Sequence, residues 1–176
     1  MNKEMYLLEF ANEIHAWNDF TIDRNGRREW LYKDTDSKEL FASESIISLG
    51  HNWYEHPEMS EYKKGIDRIY NETFELFKSL GYEHIRNTGK YRVVKPNDER
   101  VALFAHQGFG LAFLSVILDI PYPLFVNHFD IGHTGMTVIE FKNENGFAIP
   151  KVFTFSSDSH LYREGVSTTY DSKIFF

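Results

Sequence analysis

The chain has 176 residues and a formal net charge of −7, and 42% of its residues are hydrophobic and 16% aromatic. This composition excludes an intrinsically disordered chain, and the length predicts a single domain over residues 1–176. The acidic balance argues against nucleic acid as a partner, because phosphate backbones attract clustered lysine and arginine. The absence of cysteine excludes disulfide bonds and thiolate metal sites.

Two further features of the sequence concern location. No apolar run approaches the roughly 20 residues of a membrane span. Residues 1–10 also lack the basic-then-apolar pattern of a signal peptide. We therefore expect a cytoplasmic protein that has no membrane partner.

The N-terminal third of the chain predicts two local features. Residues 19–37 are dense in charge and contain Asn25-Gly26, a turn signal, so we predict an exposed loop or hairpin there. Residues 40–49 predict a short helix that ends at Gly50.

Residues 57–80 have the clearest helical pattern. Their apolar side chains recur at steps of three and four positions, which places them on one face of a helix. Pro57 suits the first turn, and Gly81 supplies a stop. Residues 90–95 alternate loosely and predict a short strand.

A short apolar run, residues 101–105, is followed by a turn that contains glycine and then by a second apolar run, residues 111–118. The first run is typical of a strand buried on both faces of a mostly parallel sheet. The second predicts a buried helix. Strand, turn and helix in this order place ligands at the carboxyl end of a parallel strand.

Two runs with β propensity follow, residues 136–141 and 147–155, with an N-E-N-G turn signal between them. Together they predict a hairpin. Because Pro150 has no N–H group, we expect it to put the second strand at a sheet edge or to form a bulge there.

His106 is the most informative single residue, because it stands between the predicted strand and the predicted helix and precedes Gly108 and Gly110. Glycines let a ligand approach the backbone, and the N–H groups at a helix start attract anions, phosphate above all. A histidine there can serve as nucleophile, general acid or electrostatic stabiliser. The alternative is a histidine that only caps the helix.

Several segments resemble the histidine phosphatases, the phosphoglycerate mutase-like superfamily. L-F-A-H-Q-G, residues 103–108, is similar to the segment that carries the second catalytic histidine of that family. S-D-S-H-L-Y, residues 157–162, resembles its closing D-x-S-H-L segment. Residues 109–123 and 132–141 resemble the parts between them, and the likeness covers most of the chain from about Tyr6 onward.

A segment near the start extends the resemblance. L-E-F-A-N-E-I, residues 8–14, resembles the family's L-x-E-I segment, whose glutamate protonates the leaving group. The resemblance implies that Glu13 is the proton donor, with Glu9 as the fallback. The residues alone leave open that both are solvated helix carboxylates four positions apart, which repel each other mildly.

The chain also departs from the family. Members begin with a strand that ends in R-H-G, which holds the nucleophilic histidine, and continue to an S-P-x-x-R-A segment with a phosphate-binding arginine. Neither motif is present in this sequence, and its first arginine is Arg24. The comparison with the family implies that the N-terminal strand–helix–strand is missing.

The resemblance implies an α/β fold with three layers, α/β/α, around a mixed, mostly parallel sheet. The residues implied at its site are His106 and Glu13 as catalytic groups and Gln107, Gly108 and His133 as substrate contacts. The ligand would be a small phosphorylated metabolite, and no cofactor or metal is expected. We further expect a homo-oligomer that forms through an open sheet edge beside residues 101–105, where the missing strand would leave backbone groups unpaired.

Three functions stay open at this point. The first is a phosphomonoesterase or phosphomutase that works through a phosphohistidine, with this chain alone inactive because the nucleophile motif is absent. The second is a non-catalytic, degenerate phosphatase module that binds a phosphorylated ligand or a protein partner. The third is a metal-dependent hydrolase built on His128, Asp130 and His133, although the H-E-x-x-H spacing is absent.

Overall fold

The structure is a computed structural model of the chain that describes residues 4–166. In this range it is a mixed α/β fold built from short elements. The helices are α1 (Glu13–Asp19), α2 (Thr35–Phe41), α3 (Glu44–Ile47), α4 (Lys63–Ser79), α5 (Gln107–Ile117), α6 (Tyr122–His128) and α7 (Ser159–Arg163). The strands are β1 (Thr21–Arg24), β2 (Arg27–Trp30), β3 (Tyr82–Ile85), β4 (Lys90–Val93), β5 (Met136–Glu140), β6 (Phe147–Ala148) and β7 (Lys151–Ser157).

The strands form three small sheets. β1 and β2 make a hairpin, β4 lies between β3 and β6, and β5 pairs with β7. Every strand pair within residues 4–166 is antiparallel.

Helix α5 lies in the centre of the core. Eight of its residues are buried, and helices α1, α4 and α6 pack around it. Burial of each large apolar side chain contributes about 1.5–3 kcal/mol, so this helix is stabilised mainly by its surroundings. Its position decides where the start of the helix, next to His106, can lie.

Four aromatic rings fill the core beside α6. Tyr122 stacks on Phe20 with ring centroids 4.8 Å apart and on Trp53 with centroids 5.7 Å apart. Phe41 contacts the rings of Trp53 and Tyr122 edge-on. These contacts join α6 to the N-terminal third of the chain.

The prediction of a long helix over residues 57–80 is confirmed. A 3₁₀ helix, Pro57–Tyr62, leads into α4, and Gly81 follows its end with a φ of +92°. The buried helix predicted for residues 111–118 is α5, which begins four residues earlier because Gln107 and Gly108 already belong to its first turn.

The prediction of an exposed loop or hairpin over residues 19–37 is confirmed for residues 21–30, which form the hairpin β1–β2, but residues 31, 32 and 34 are buried and α2 begins at Thr35. The turn of this hairpin is at Asn25-Gly26, where both residues have positive φ. The short strand predicted at residues 90–95 is β4.

The prediction of a strand at residues 101–105 is wrong. The segment forms no bridge with any strand in the described part of the chain, and all five of its residues are exposed. Its composition suits a buried strand, but a strand needs a neighbour with which to pair, and the sequence signal does not supply one. The mostly parallel sheet expected around this strand is likewise not observed, since all the observed pairs are antiparallel.

Two boundaries also differ from expectation. Residues 147–155 do not form one strand: β6 pairs with β4, whereas β7 pairs with β5, and Pro150 lies between them. The helix expected over residues 40–49 is divided, because Ser43 ends the first helical segment and caps the N-terminus of α3. None of the helices within residues 4–166 is long and apolar enough to cross a bilayer.

Asp34 joins the β1–β2 hairpin to α2. Its carboxylate accepts hydrogen bonds from Arg24 Nη2 at 2.9 Å and from the Ser37 N–H group at 2.9 Å, which caps the helix. The bond from Arg24, with those from Ser37, lowers the pKa of Asp34 to about 2 although burial alone would raise it. The carboxyl of the unfolded chain has a pKa of 3.8.

We therefore predict that Asp34 stabilises the fold above pH about 4 and loses this contribution as the pH falls toward 2. The difference between the two pKa values corresponds to at most about 2 kcal/mol. Urea unfolding at pH about 5 and about 2.5 should show a smaller loss of stability for Asp34→Asn than for the wild type. The exposed Asp36→Asn is the matched control, and an Asp34→Asn slope equal to that of this control would contradict the prediction.

Candidate functional site

Glu13 connects α1 to the start of α5. Its Oε1 accepts a hydrogen bond from the N–H group of Gly108 at 2.9 Å, and its Oε2 accepts one from the N–H group of Phe109 at 2.9 Å. These groups belong to the first helical turn, which has no partners within the helix. The positive end of the helix dipole favours a carboxylate there. Glu13 thus caps a helix that begins more than 90 residues later in the sequence.

The local sequence explains why Glu13, and not Glu9, reaches α5. Asn12 Oδ1 accepts from the N–H group of Ile14 at 3.1 Å and caps α1, so that Glu13 is the first residue of this helix. Glu9 belongs to a separate 3₁₀ turn, is exposed and lies 3.1 Å from His15 Nε2. The two carboxylates therefore have different surroundings.

The space beside Gly108 is filled by an indole ring. A Cβ atom at Gly108 would lie 2.2 Å from Cη2 of Trp30, so only glycine fits here without a shift. The Trp30 ring in turn contacts Trp17 edge-on at 4.9 Å and stacks on Tyr32 at 5.5 Å. The close approach that Gly108 permits is made by Trp30.

The side-chain amide of Gln107 makes a hydrogen bond through its oxygen and another through its nitrogen. Its Oε1 accepts from the Tyr32 hydroxyl at 3.3 Å, and its Nε2 donates to Asp130 Oδ1 at 2.5 Å. The backbone N–H group of Gln107 has no acceptor among residues 4–166. The side-chain amide of Gln107 is therefore occupied by hydrogen bonds within the protein, whereas its backbone N–H group can bind a ligand.

His106 is the N-cap residue of α5 and is exposed. Its carbonyl accepts from the N–H group of Gly110 at 2.9 Å, and its imidazole makes no hydrogen bond within the described part of the chain. The ring is thus open to solvent, two residues before the first N–H group that Glu13 binds.

His133 lies in the exposed loop that precedes β5 and has no hydrogen bond to the residues that the structure describes. The adjacent Thr134 is 3.1 Å from His160 Nε2, which joins this loop to α7. Ile131 of the same loop lies against α5, because its Cδ1 would be 3.1 Å from a Cβ atom at Gly110. The loop therefore borders the helix, but no contact of His133 with the other predicted site residues is observed.

The structure thus brings Glu13, Gln107 and Gly108 together at the start of α5, next to His106. Within residues 4–166, no three histidine or carboxylate side chains converge as metal ligands would. Asp130, one of the residues considered for a metal site, instead accepts hydrogen bonds from Gln107 and from the Ile131 N–H group.

Sequence reasoning did not place Trp30 and Tyr32 at this site. The glycine at position 108 does signal a close approach to the helix start, but it does not say which residue makes it. Asp130 was identified only as a metal candidate, since its contact with Gln107 spans 23 residues and leaves no local pattern.

Comparison with known proteins identified no relative of this chain. No protein-family model, no curated protein and no solved structure matches the chain.

Replacing Glu13 tests how strongly the fold depends on this cap. We predict that Glu13→Ala lowers the free energy of unfolding by about 1–3 kcal/mol, because two N–H groups at the start of a buried helix lose their acceptor. Glu13→Gln should cost less, since its carbonyl oxygen still accepts one bond. Urea unfolding followed by circular dichroism measures both.

The exposed Glu9→Ala is the matched control and should stay within about 0.5 kcal/mol of the wild type. Equal stability of Glu13→Ala and Glu9→Ala would contradict the structural role of Glu13.

Proposed function

We propose that this chain is a histidine-phosphatase-like protein that binds a small phosphorylated metabolite at the start of α5. In this proposal His106 and Glu13 are the functional side chains, the main chain at Gln107 contacts the phosphate, and the chain alone does not hydrolyse the ligand. We also propose that the protein is cytoplasmic. The three-layer family fold would need further strands beside residues 101–105 and stays an expectation.

The contact of Glu13 with α5 is the observation that carries the proposal. The resemblance assigns residues 8–14 and residues 103–108 to one site on sequence grounds alone. In the structure the carboxylate of Glu13 binds the first turn of the helix that follows His106. The two remote segments are therefore in contact, and this supports the proposal of a shared site.

The available donors suit an oxyanion of modest affinity. The Gln107 N–H group has no acceptor among the described residues, and the His106 ring beside it is exposed. A phosphate held by these groups would lie next to the Glu13 carboxyl group. The resemblance assigns to that carboxyl group the donation of the proton that the leaving oxygen of a phosphomonoester needs.

Catalysis is not expected from this chain alone, because the sequence lacks the R-H-G motif that supplies the family's nucleophile. The arginine of the S-P-x-x-R-A segment, which would bind phosphate by two charge-assisted hydrogen bonds, is also absent. Covalent catalysis and charge stabilisation each contribute orders of magnitude to such reactions.

A non-catalytic binding module is the second candidate, and the same carboxylate favours it. Glu13 already occupies two of the N–H groups at the helix start, and Trp30 covers Gly108. Such a site resembles a phosphate site filled by one of the protein's own anions. In that case the ligand would be a partner that contacts the exposed surface around His106.

We predict that the purified chain hydrolyses p-nitrophenyl phosphate no faster than buffer does. The reason is the absence of a nucleophile motif and of the phosphate-binding arginine. The release of p-nitrophenol at 405 nm is the measurement, with His106→Ala as the control. Turnover that disappears in His106→Ala would contradict the prediction and would show that the chain supplies its own nucleophile.

We also predict weak binding of inorganic phosphate, with a Kd no better than about 1 mM. In an NMR titration, amide shifts should be confined to residues 105–109. Glu13→Gln should bind phosphate more tightly than the wild type, because it removes a negative charge beside the Gln107 N–H group and weakens the hold on the neighbouring N–H groups of Gly108 and Phe109.

An unrelated surface substitution, Glu9→Gln, is the control for the change in net charge. Absence of shifts at His106 and Gln107 up to tens of millimolar phosphate in both proteins would leave His106 as a helix cap and would refute the proposed function.

A further inference from the structure

Residues 96–106 form a largely exposed run of chain that ends in an apolar segment, residues 101–105. They contain no helix, strand, turn or bend. Phe104 is 92% exposed, Val101 63% and Leu103 38%. Val101 and Phe104 are residue types that are enriched in strands, where their side chains are normally half-buried.

The backbone of this run is also unpaired. None of the N–H and C=O groups of residues 100–105 makes a hydrogen bond to any residue in the described part of the chain. Such a row of free donors and acceptors, with apolar side chains beside it, is a template for another strand.

Both ends of the run are anchored. Asn97 Nδ2 donates to the carbonyl of Leu80 at 2.9 Å and to the carbonyl of Lys95 at 3.0 Å. At the other end the chain enters α5, whose first turn is held by Glu13. Because the segment is fixed at both ends, it loses less conformational entropy on pairing than a free loop does.

We propose that the run binds the same run of a second copy of this chain as an antiparallel strand. A twofold axis relating two such strands stands perpendicular to the sheet, so the pairing must be centred on a residue. With the centre at Ala102, Val101 lies opposite the partner's Leu103, and Arg100 lies opposite the partner's Phe104. Because of the twofold axis, the apolar pair Val101–Leu103 and the cation–aromatic pair Arg100–Phe104 each occur twice.

Charge favours this register and favours a second copy as the occupant. Centring on Ala102 puts Asp98 opposite the partner's His106, so that unlike charges meet at both ends when the imidazole is protonated. Centring on Leu103 would put Arg100 opposite the partner's His106, which are like charges. The segment is thus complementary to itself in one register.

Sedimentation velocity of the full chain, from about 1 to about 200 µM, tests the proposal. A strand pair alone is a small interface, so we expect a monomer–dimer equilibrium with a Kd on the order of 10 µM. Phe104→Glu and Ala102→Pro should each weaken association at least tenfold. Tyr162→Glu, which changes a side chain that is 87% exposed elsewhere, should have no effect.

Charge reversal tests the register. Asp98→Lys should weaken the dimer at pH about 6, and the double variant Asp98→Lys, His106→Asp should restore it. Circular dichroism of each variant checks that the fold is retained.

A monomer at all concentrations would overturn the proposal, as would a dimer that Phe104→Glu and Ala102→Pro leave unchanged. A dimer that these two variants abolish but that charge reversal does not affect would support the second copy and overturn the register. The result is independent of phosphate binding, because association is measured in phosphate-free buffer.

Discussion

The start of α5 is the constraint on which the rest of the structure depends. The N–H groups of Gly108 and Phe109 start a helix that is buried among three others, so they need an acceptor from elsewhere in the protein. Glu13 is that acceptor, and the position of α1 follows from it. Trp30 then closes the space over Gly108, which brings the β1–β2 hairpin to the same place.

The carboxylate of Glu13 has two opposing effects on the proposed phosphate chemistry. It places a carboxyl group near the exposed His106, which the proposed phosphomonoester chemistry requires. It also occupies donors that a phosphate would otherwise use, and Asp130 adds a second negative charge close by through Gln107. Whether the site acts on a ligand or only binds one depends on which of these two effects is larger, so the Glu13→Gln substitution is more informative than the removal of His106.

Local signals predicted the parts of the fold that local interactions determine. Residues 57–80 and the Asn25-Gly26 turn behaved as expected because helix periodicity and turn chemistry act over a few residues. The strand at 101–105 failed because strand formation depends on a neighbour that composition does not reveal. The resemblance pointed to Glu13 ahead of Glu9, but the residues alone did not distinguish them, since the contact of Glu13 spans more than 90 residues.

The unpaired run and the site share one piece of backbone. His106 is both the last residue of the exposed run, residues 96–106, and the N-cap of α5. After His106 the chain is held by the contact of Glu13 with the first turn of α5. Before His106 the backbone of residues 100–105 makes no hydrogen bond within the described part of the chain, so a second strand can pair with it. Any strand that binds residues 98–106 brings its own side chains next to the His106 imidazole. The proposed pairing would therefore change the charge around His106, next to a helix that is already held by its burial and by its cap.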